Sequence, residues 1–392
     1  MAQSVLWVAT RKGTFKVEKR GGRWQAALSG HAGTGVNYVA REPKTNRLWA
    51  LLGHGHWGAK LSVSDDGGAT WRDHTTQIKF PDGARYIGQD MFEDSTSDFG
   101  VGWKIVTRKA TVQKLWVIGF GGDGAIWVGT IPGGLFVSRD GGASFELNRP
   151  LWNHESRGGD LFSGDGTGET KWFGTPASEG GEFAPGLHSI CVNPRDPKHV
   201  LVAVSTAGVI ETRDGGATWR PRNKGMSMDH HPDPNAEWGH DTHLIEQCAG
   251  APEHVWQQNH AGVFYSDNGA ESWRKVSAPD VGVHFGFPIS ADAHNGRSAW
   301  LVPGRGDNQR TAIDGGLFVA RTDDGGASWR QLRQGLPQEC AYDIVYRHAL
   351  DNRDGLVAFG STTGNLYISE DRGERWSAVS HNLPPVYAVR FG

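Results

Sequence analysis

The chain has 392 residues, 40 lysines and arginines against 43 aspartates and glutamates, and a net charge of -3. Without a basic block, an interleaved aromatic-basic run or an acidic tail, that balance excludes a polyanion-binding role and predicts no nucleic-acid partner. No 18 apolar residues run together, which excludes a helical membrane span, and Cys191, Cys248 and Cys340 stand too far apart for a Cys-x-x-Cys zinc site or a disulfide framework.

The N-terminus, Met1 to Trp7, has neither a basic start nor a long apolar stretch, so a cytoplasmic protein is expected. The 56 glycines and 17 tryptophans point to many turns and to a recurring aromatic slot. Val5 to Ala9 is a short apolar run of strand type, followed by Gly13-Thr14-Phe15-Lys16 and Gly21-Gly22-Arg23-Trp24. The latter two are a decayed form of the tract Ser64-Asp65-Asp66-Gly67-Gly68-Ala69-Thr70-Trp71. Full copies recur at Ser138 to Phe145, Thr212 to Trp219 and Thr322 to Trp329, with weaker ones at Ser266 to Trp273 and Ser369 to Trp376. Asn268 and Ala270 replace Asp and Gly in one weak copy, and Arg375 replaces Thr in the other, so those hairpins are expected to be less rigid.

One unit is legible in full. Leu187 to Asn193, Val200 to Ser205, Gly208 to Arg213 and Thr218 to Arg222 are four alternating runs separated by turn residues, with the repeat tract as the hairpin between the third and fourth. Gly216 supplies a positive backbone dihedral there, and Asp214 accepts backbone N–H bonds. A period of about 40 to 50 residues built this way is that of a four-stranded propeller blade. Seven copies predict an all-β, seven-bladed β-propeller spanning 1–392 as a single domain. The C-terminal run Val386 to Phe391 reads as a first strand and Val5 to Ala9 as a second, so their pairing in one blade closes the ring.

The tracts resemble the Asp-boxes of the BNR-repeat, sialidase-like propellers, a resemblance that covers nearly the whole chain. It implies the fold and leaves the activity open, because families sharing the box include glycosidases, lyases, receptors and assembly factors. A true sialidase is disfavoured. The Phe-Arg-Ile-Pro motif that the resemblance would require is missing, and Phe287-Pro288-Ile289 echoes it only in the wrong blade.

The box hairpins lie opposite the usual binding face of a propeller, so chemistry is expected on the other face. Two long connections reach it, near 77–112 and 148–187, and read as loop excursions, the second as a lid or a partly disordered segment. They carry Glu93, Asp94, Glu155, Asp160 and Glu182 as candidate acids. His31, His54, His56, His154, His188, His230, His231, His240, His243, His260, His284 and His381 map to this face as well. Aligned on their apolar positions, the first strands put Asn37, His188, His243, Phe287 and Tyr342 at one equivalent site by the channel mouth.

The expected function is an enzyme, a hydrolase or a lyase, acting on a carbohydrate or similar polar small molecule. His188, His243, His260, His284 and Tyr342 are the candidates for proton transfer, with Asp241 orienting a histidine. His188, His243, His260 and His284 are alternatively ligands of a divalent transition metal. Arg11, Lys12 and Arg305 would hold an anionic group, while His54, His56, Trp57 and Asn259 would contact substrate. A non-catalytic binding scaffold is the third reading, and a plain structural role for each histidine stands beside all three.

Overall fold

The computed structural model describes residues 4–93, 95–96, 101–162, 170–172, 175–176, 183–228 and 233–392. Asp94, Glu182, His230 and His231 lie outside the described residues. Seven four-stranded antiparallel sheets form the blades of a propeller with almost no helix. Blade 1 joins the chain ends: Val386–Phe391 is its innermost strand and pairs with Val5–Thr10, followed by Gly13–Arg20 and Arg23–Gly30. The innermost strands of blades 2 to 7 are Gly35–Arg41, Lys114–Phe120, Leu187–Val192, Thr242–Gln247, Phe285–Ala291 and Leu350–Arg353.

The long connections are not simple loops. Arg85–Glu93 pairs with Val101–Lys109 as a hairpin, and Phe183–Ala184 and Thr175–Pro176 add to it, so both excursions meet in an eighth four-stranded sheet. Arg157, fully buried, ties the second excursion down: its guanidinium lies 4.0 Å from the Trp152 ring and 4.3 Å from that of Trp172, and Nη1 donates to the Gly133 carbonyl at 2.7 Å.

The repeat tracts are the hairpins between third and fourth strands, and their bonding explains their composition. In the copy at 212–219, Thr212 Oγ1 donates to Asp214 Oδ1 at 2.8 Å, which also accepts from the amides of Ala217 and Thr218 at 2.9 Å. Gly216, at φ 95°, brings the turn against the preceding blade, where an added Cβ would come 2.5 Å from Asn148 Nδ2. The departures cost less than the sequence suggests. Asn268 Oδ1 still accepts from Ser266 Oγ and the Ser272 amide, Ala270 takes φ 67°, and the Arg375 amide still donates to Asp371.

The tryptophans fill two slots at the blade interfaces. Trp71, Trp219, Trp273 and Trp329 each donate Nε1 to the preceding blade, to Ser29 Oγ, Asn148 Oδ1, the Arg222 carbonyl and the Val276 carbonyl. The ring of the repeat packs edge-on to a second-strand tryptophan of that blade, as in Trp7–Trp71 at 6.4 Å and Trp256–Trp329 at 6.0 Å. Burying each such ring contributes on the order of 1.5–3 kcal/mol.

One irregularity recurs on the innermost strands. The register slips at Asn37 in blade 2, Trp116 in blade 3, His188 in blade 4, His243 in blade 5 and Phe287 with Pro288 in blade 6. Blade 1 slips at Tyr387, between Val386 and Ala388. A bulge re-aims the extra side chain out of the ladder. These steps lie at the strand starts, on the side of the ring away from the repeat hairpins.

Candidate channel-mouth site

The site is built from the start of the blade 5 inner strand and the turn that follows its second strand. The His260 amide donates to the Asp241 carbonyl at 2.9 Å, which draws the turn between Val255–Asn259 and Gly262–Ser266 over the strand start. Asp241, His243 and His260 thereby present one ligand atom each, all within 4.8 Å of one another. Asp241 Oδ2 lies 3.7 Å from His243 Nε2 and 3.5 Å from His260 Nδ1.

These separations exceed those of a good N–H···O hydrogen bond, about 2.7–3.2 Å. Four-coordinate donors held at about 2.1 Å from a cation stand about 3.4 Å apart. The tautomer of His243 sharpens the point. Its Nδ1 donates to the Gly286 carbonyl at 2.6 Å, so Nε2 turns a lone pair toward the Asp241 carboxylate. Asn37, at the same bulge position in blade 2, makes the equivalent contact, its Nδ2 donating to the Leu115 carbonyl of blade 3 at 3.1 Å.

The ring of His243 stacks on Phe287 at 4.7 Å and meets Phe285 edge-on at 5.6 Å. Burial lowers its pKa, with the nearby Arg347 charge adding to that against the pull of Asp241. His260 moves the other way, because Asp241 beside it favours the imidazolium. Burial acts to raise the Asp241 carboxyl, but the two imidazoles and Arg347 outweigh it and hold Asp241 well below the usual carboxylate range.

The remaining sequence candidates separate. His188 is fully buried, its Nδ1 3.0 Å from Ser189 Oγ and its Nε2 without a partner; it lies edge-on to Trp116 at 5.4 Å, outside the trio. His284, partly buried just before the blade 6 inner strand, is also outside it, so of the four histidines only His243 and His260 stand together, beside Asp241. Tyr342 is 67% exposed and does not share the bulge register of the other first strands: blade 7 brings Arg347 and His348 to the channel instead. The alignment failed there because Ala341 to Tyr346 form no strand and the blade 7 inner strand begins only at Leu350.

Asn259 is buried and spends its amide on Gln257 and the Ala261 N–H. His54 accepts from the amides of His56 and Trp57, so its ring shapes a turn, while His56 and Trp57 project exposed. Arg11 and Lys12 are exposed at the turn after Val5–Thr10, and Arg305 is closed by Asp314 at 2.8 Å. His31 is part of the scaffold, bridging Thr14 Oγ1 and Ser62 Oγ at 2.9 Å each under Trp71.

Sequence reasoning missed Lys114, Trp116 and Arg347. Arg347 lies between Trp116 and Phe287, at 5.3 and 5.2 Å from their rings. Trp116 was findable, because the run Lys114 to Phe120 aligns with the other first strands.

The ring as a whole is similar to known propellers. The likeness extends to the fold alone. No protein-family model and no curated protein matches the chain. Among solved structures, an ancestral GH74 enzyme superposes with a TM-score of 0.53 at 14% identity, covering 99% of this chain, which spans only 40% of that one. YCF48 from Cyanidioschyzon merolae gives 0.51 at 14%, covering 92% and 87% of the two chains. An inferred 6-phosphogluconolactonase from Bacteroides fragilis gives 0.52 at 11%, covering 100% and 98%. Among the described residues no helix is long and apolar enough to cross a membrane.

Proposed function

We propose that Asp241, His243 and His260 hold a divalent transition-metal ion at the core of an enzyme site for a small polar, sugar-like substrate. The observation that carries this reading is the facing of two acceptors. The Nε2 lone pair of His243 and the Asp241 carboxylate oxygen meet across 3.7 Å with His260 beside them. A cation between them removes the repulsion, and the Gly286 carbonyl plays the supporting part that fixes and enriches a ligating imidazole. Two imidazoles and one carboxylate suit zinc, manganese or iron(II) and leave positions open for water or a substrate oxygen, which such an ion polarises for hydrolysis or elimination. Phe285 and Phe287, buried against His243, form the apolar wall of the site. The bonding inside the repeat hairpins supports placing the scaffold with the Asp-box propellers.

A metal-free reading has its own observation. The depressed pKa of His243 and the raised pKa of His260 make a neutral base next to a charged acid. A screen of glycosides and lactones, run with and without chelator, separates the two. The metal reading expects turnover that chelator abolishes and added zinc or manganese restores, and that His260→Ala removes. Turnover indifferent to chelator rejects it in favour of acid-base catalysis, and turnover indifferent to His260→Ala rejects both.

A further inference from the structure

We infer that Lys114 and Arg347 form an oxyanion-binding subsite at the channel mouth, and that the substrate of this site carries a carboxylate or phosphate group. Lys114 and Trp116 stand at the start of the blade 3 inner strand, where the register slips and re-aims the Trp116 ring. The Lys114 ammonium lies 5.0 Å from the Trp116 ring, and the Arg347 guanidinium, arriving from blade 7, lies 5.3 Å from the same ring. Two cations thus share one aromatic platform, and among the described residues neither has an ion pair. Arg305 and Arg310 of the same face are, by contrast, each closed by a carboxylate, Asp314 and Asp307.

Hydrogen-bonding capacity goes unused at the same place. Arg347 Nε and His188 Nε2 are buried without a partner, and the His188 ring lies against Trp116. Buried polar atoms left unpaired and like charges left uncompensated are both unfavourable. The repulsion is felt: burial and the Arg347 charge together lower the Lys114 ammonium to about 8. A single ligand that is anionic and rich in acceptors answers both defects, and an oxyanion is such a ligand. Arg347 lies 5.2 Å from the Phe287 ring, which stacks on His243 at 4.7 Å, and this places the subsite within a small molecule's reach of the trio. The assignment of the anion to a substrate rests on the proposed enzyme site; the subsite itself does not.

The test is calorimetric titration of the full chain, as purified and after chelator treatment, with inorganic phosphate and, separately, acetate. Binding of either probe by both preparations is expected, and the stronger of the two indicates which acid group the substrate bears. Lys114→Met and Arg347→Met should each weaken binding by about ten-fold or more, while Lys114→Arg and Arg347→Lys, which keep the charge, should stay within about three-fold of the parent. Neither probe binding, or binding unchanged in both methionine variants, would overturn the subsite. Phosphate binding by a parent chain that retains no ion after zinc and manganese have been supplied overturns the metal centre alone. One-to-one metal binding with phosphate affinity indifferent to both methionine variants overturns the subsite alone.

Discussion

Glu246 offers a quantitative test of the channel's electrostatics. It sits on the inner strand of blade 5, nearer the repeat-hairpin side than the trio, and its Oε2 accepts from the Ala291 amide at 3.1 Å. It helps line a cavity of about 280 Å³ together with Tyr38, His188, His348 and Arg390. Burial raises its carboxyl from 4.5 to about 7, the Arg390 charge opposing and the Asp351 charge adding to the rise. A carboxyl whose pKa is raised on folding binds its proton more tightly in the native state, so stability falls as pH climbs from about 4.5 to about 7 and stays low above that. The gap of about 2.5 pH units corresponds to about 3 kcal/mol.

Glu246→Gln mimics the protonated form and keeps an acceptor for the Ala291 amide. Urea unfolding at about pH 4 should therefore find variant and parent equal within about 0.5 kcal/mol, and at about pH 8 should find the variant more stable by about 2–3 kcal/mol. A variant no more stable than the parent at the higher pH would refute the reasoning. It would mean that Arg390, which donates to Tyr38 Oη at 2.7 Å, keeps Glu246 ionised through the fold.

Three further outcomes follow from the scaffold. Asp214→Ala removes acceptors for the Ala217 and Thr218 amides and should cost about 1–2 kcal/mol in denaturant unfolding. The parent hairpin, whose Asp214 carboxyl is held at about 2 chiefly by Thr218, should keep that contribution above about pH 4 and lose it as pH falls toward 2. Arg157→Ala should cost about 2–4 kcal/mol and redshift tryptophan emission, because Trp152 and Trp172 lose the guanidinium packed between them. Removal of Val386–Phe391 should abolish the cooperative thermal transition seen by circular dichroism, since Val5–Thr10 loses its inner partner and the ring its closure.

The ring was legible because its information is local. A hairpin that needs a hydroxyl, a carboxylate, a positive-φ glycine and a tryptophan within eight residues writes itself into the sequence each time it is built. Closure by Val386–Phe391 and Val5–Thr10 was legible for the same reason, each being a short alternating run at a chain end. The hairpin Arg85–Glu93 with Val101–Lys109 was not, because no repeat marks it and its sheet is completed by Phe183–Ala184, far along the chain.

At the site, alignment of first strands found Asn37, His188, His243 and Phe287 because one bulge recurs at one step of the strand. It failed at Tyr342, which stands eight residues before the strand Leu350–Arg353 begins, and so missed Arg347. No spacing rule reports which of several histidines on one face point at a common atom. His260 joins Asp241 through a turn 19 residues away, whereas His240, the i−3 neighbour of His243, turns its Nε2 to the Ala236 carbonyl.

The central claim is that Asp241, His243 and His260 surround a cation. Elemental analysis by mass spectrometry, on tag-free protein reconstituted with zinc and with manganese and then freed of loose ion, tests it most directly when parent and Asp241→Asn are compared. One retained ion per parent chain and none in Asp241→Asn is the predicted result. A parent that retains no ion, or an Asp241→Asn chain that retains as much as the parent, would contradict it.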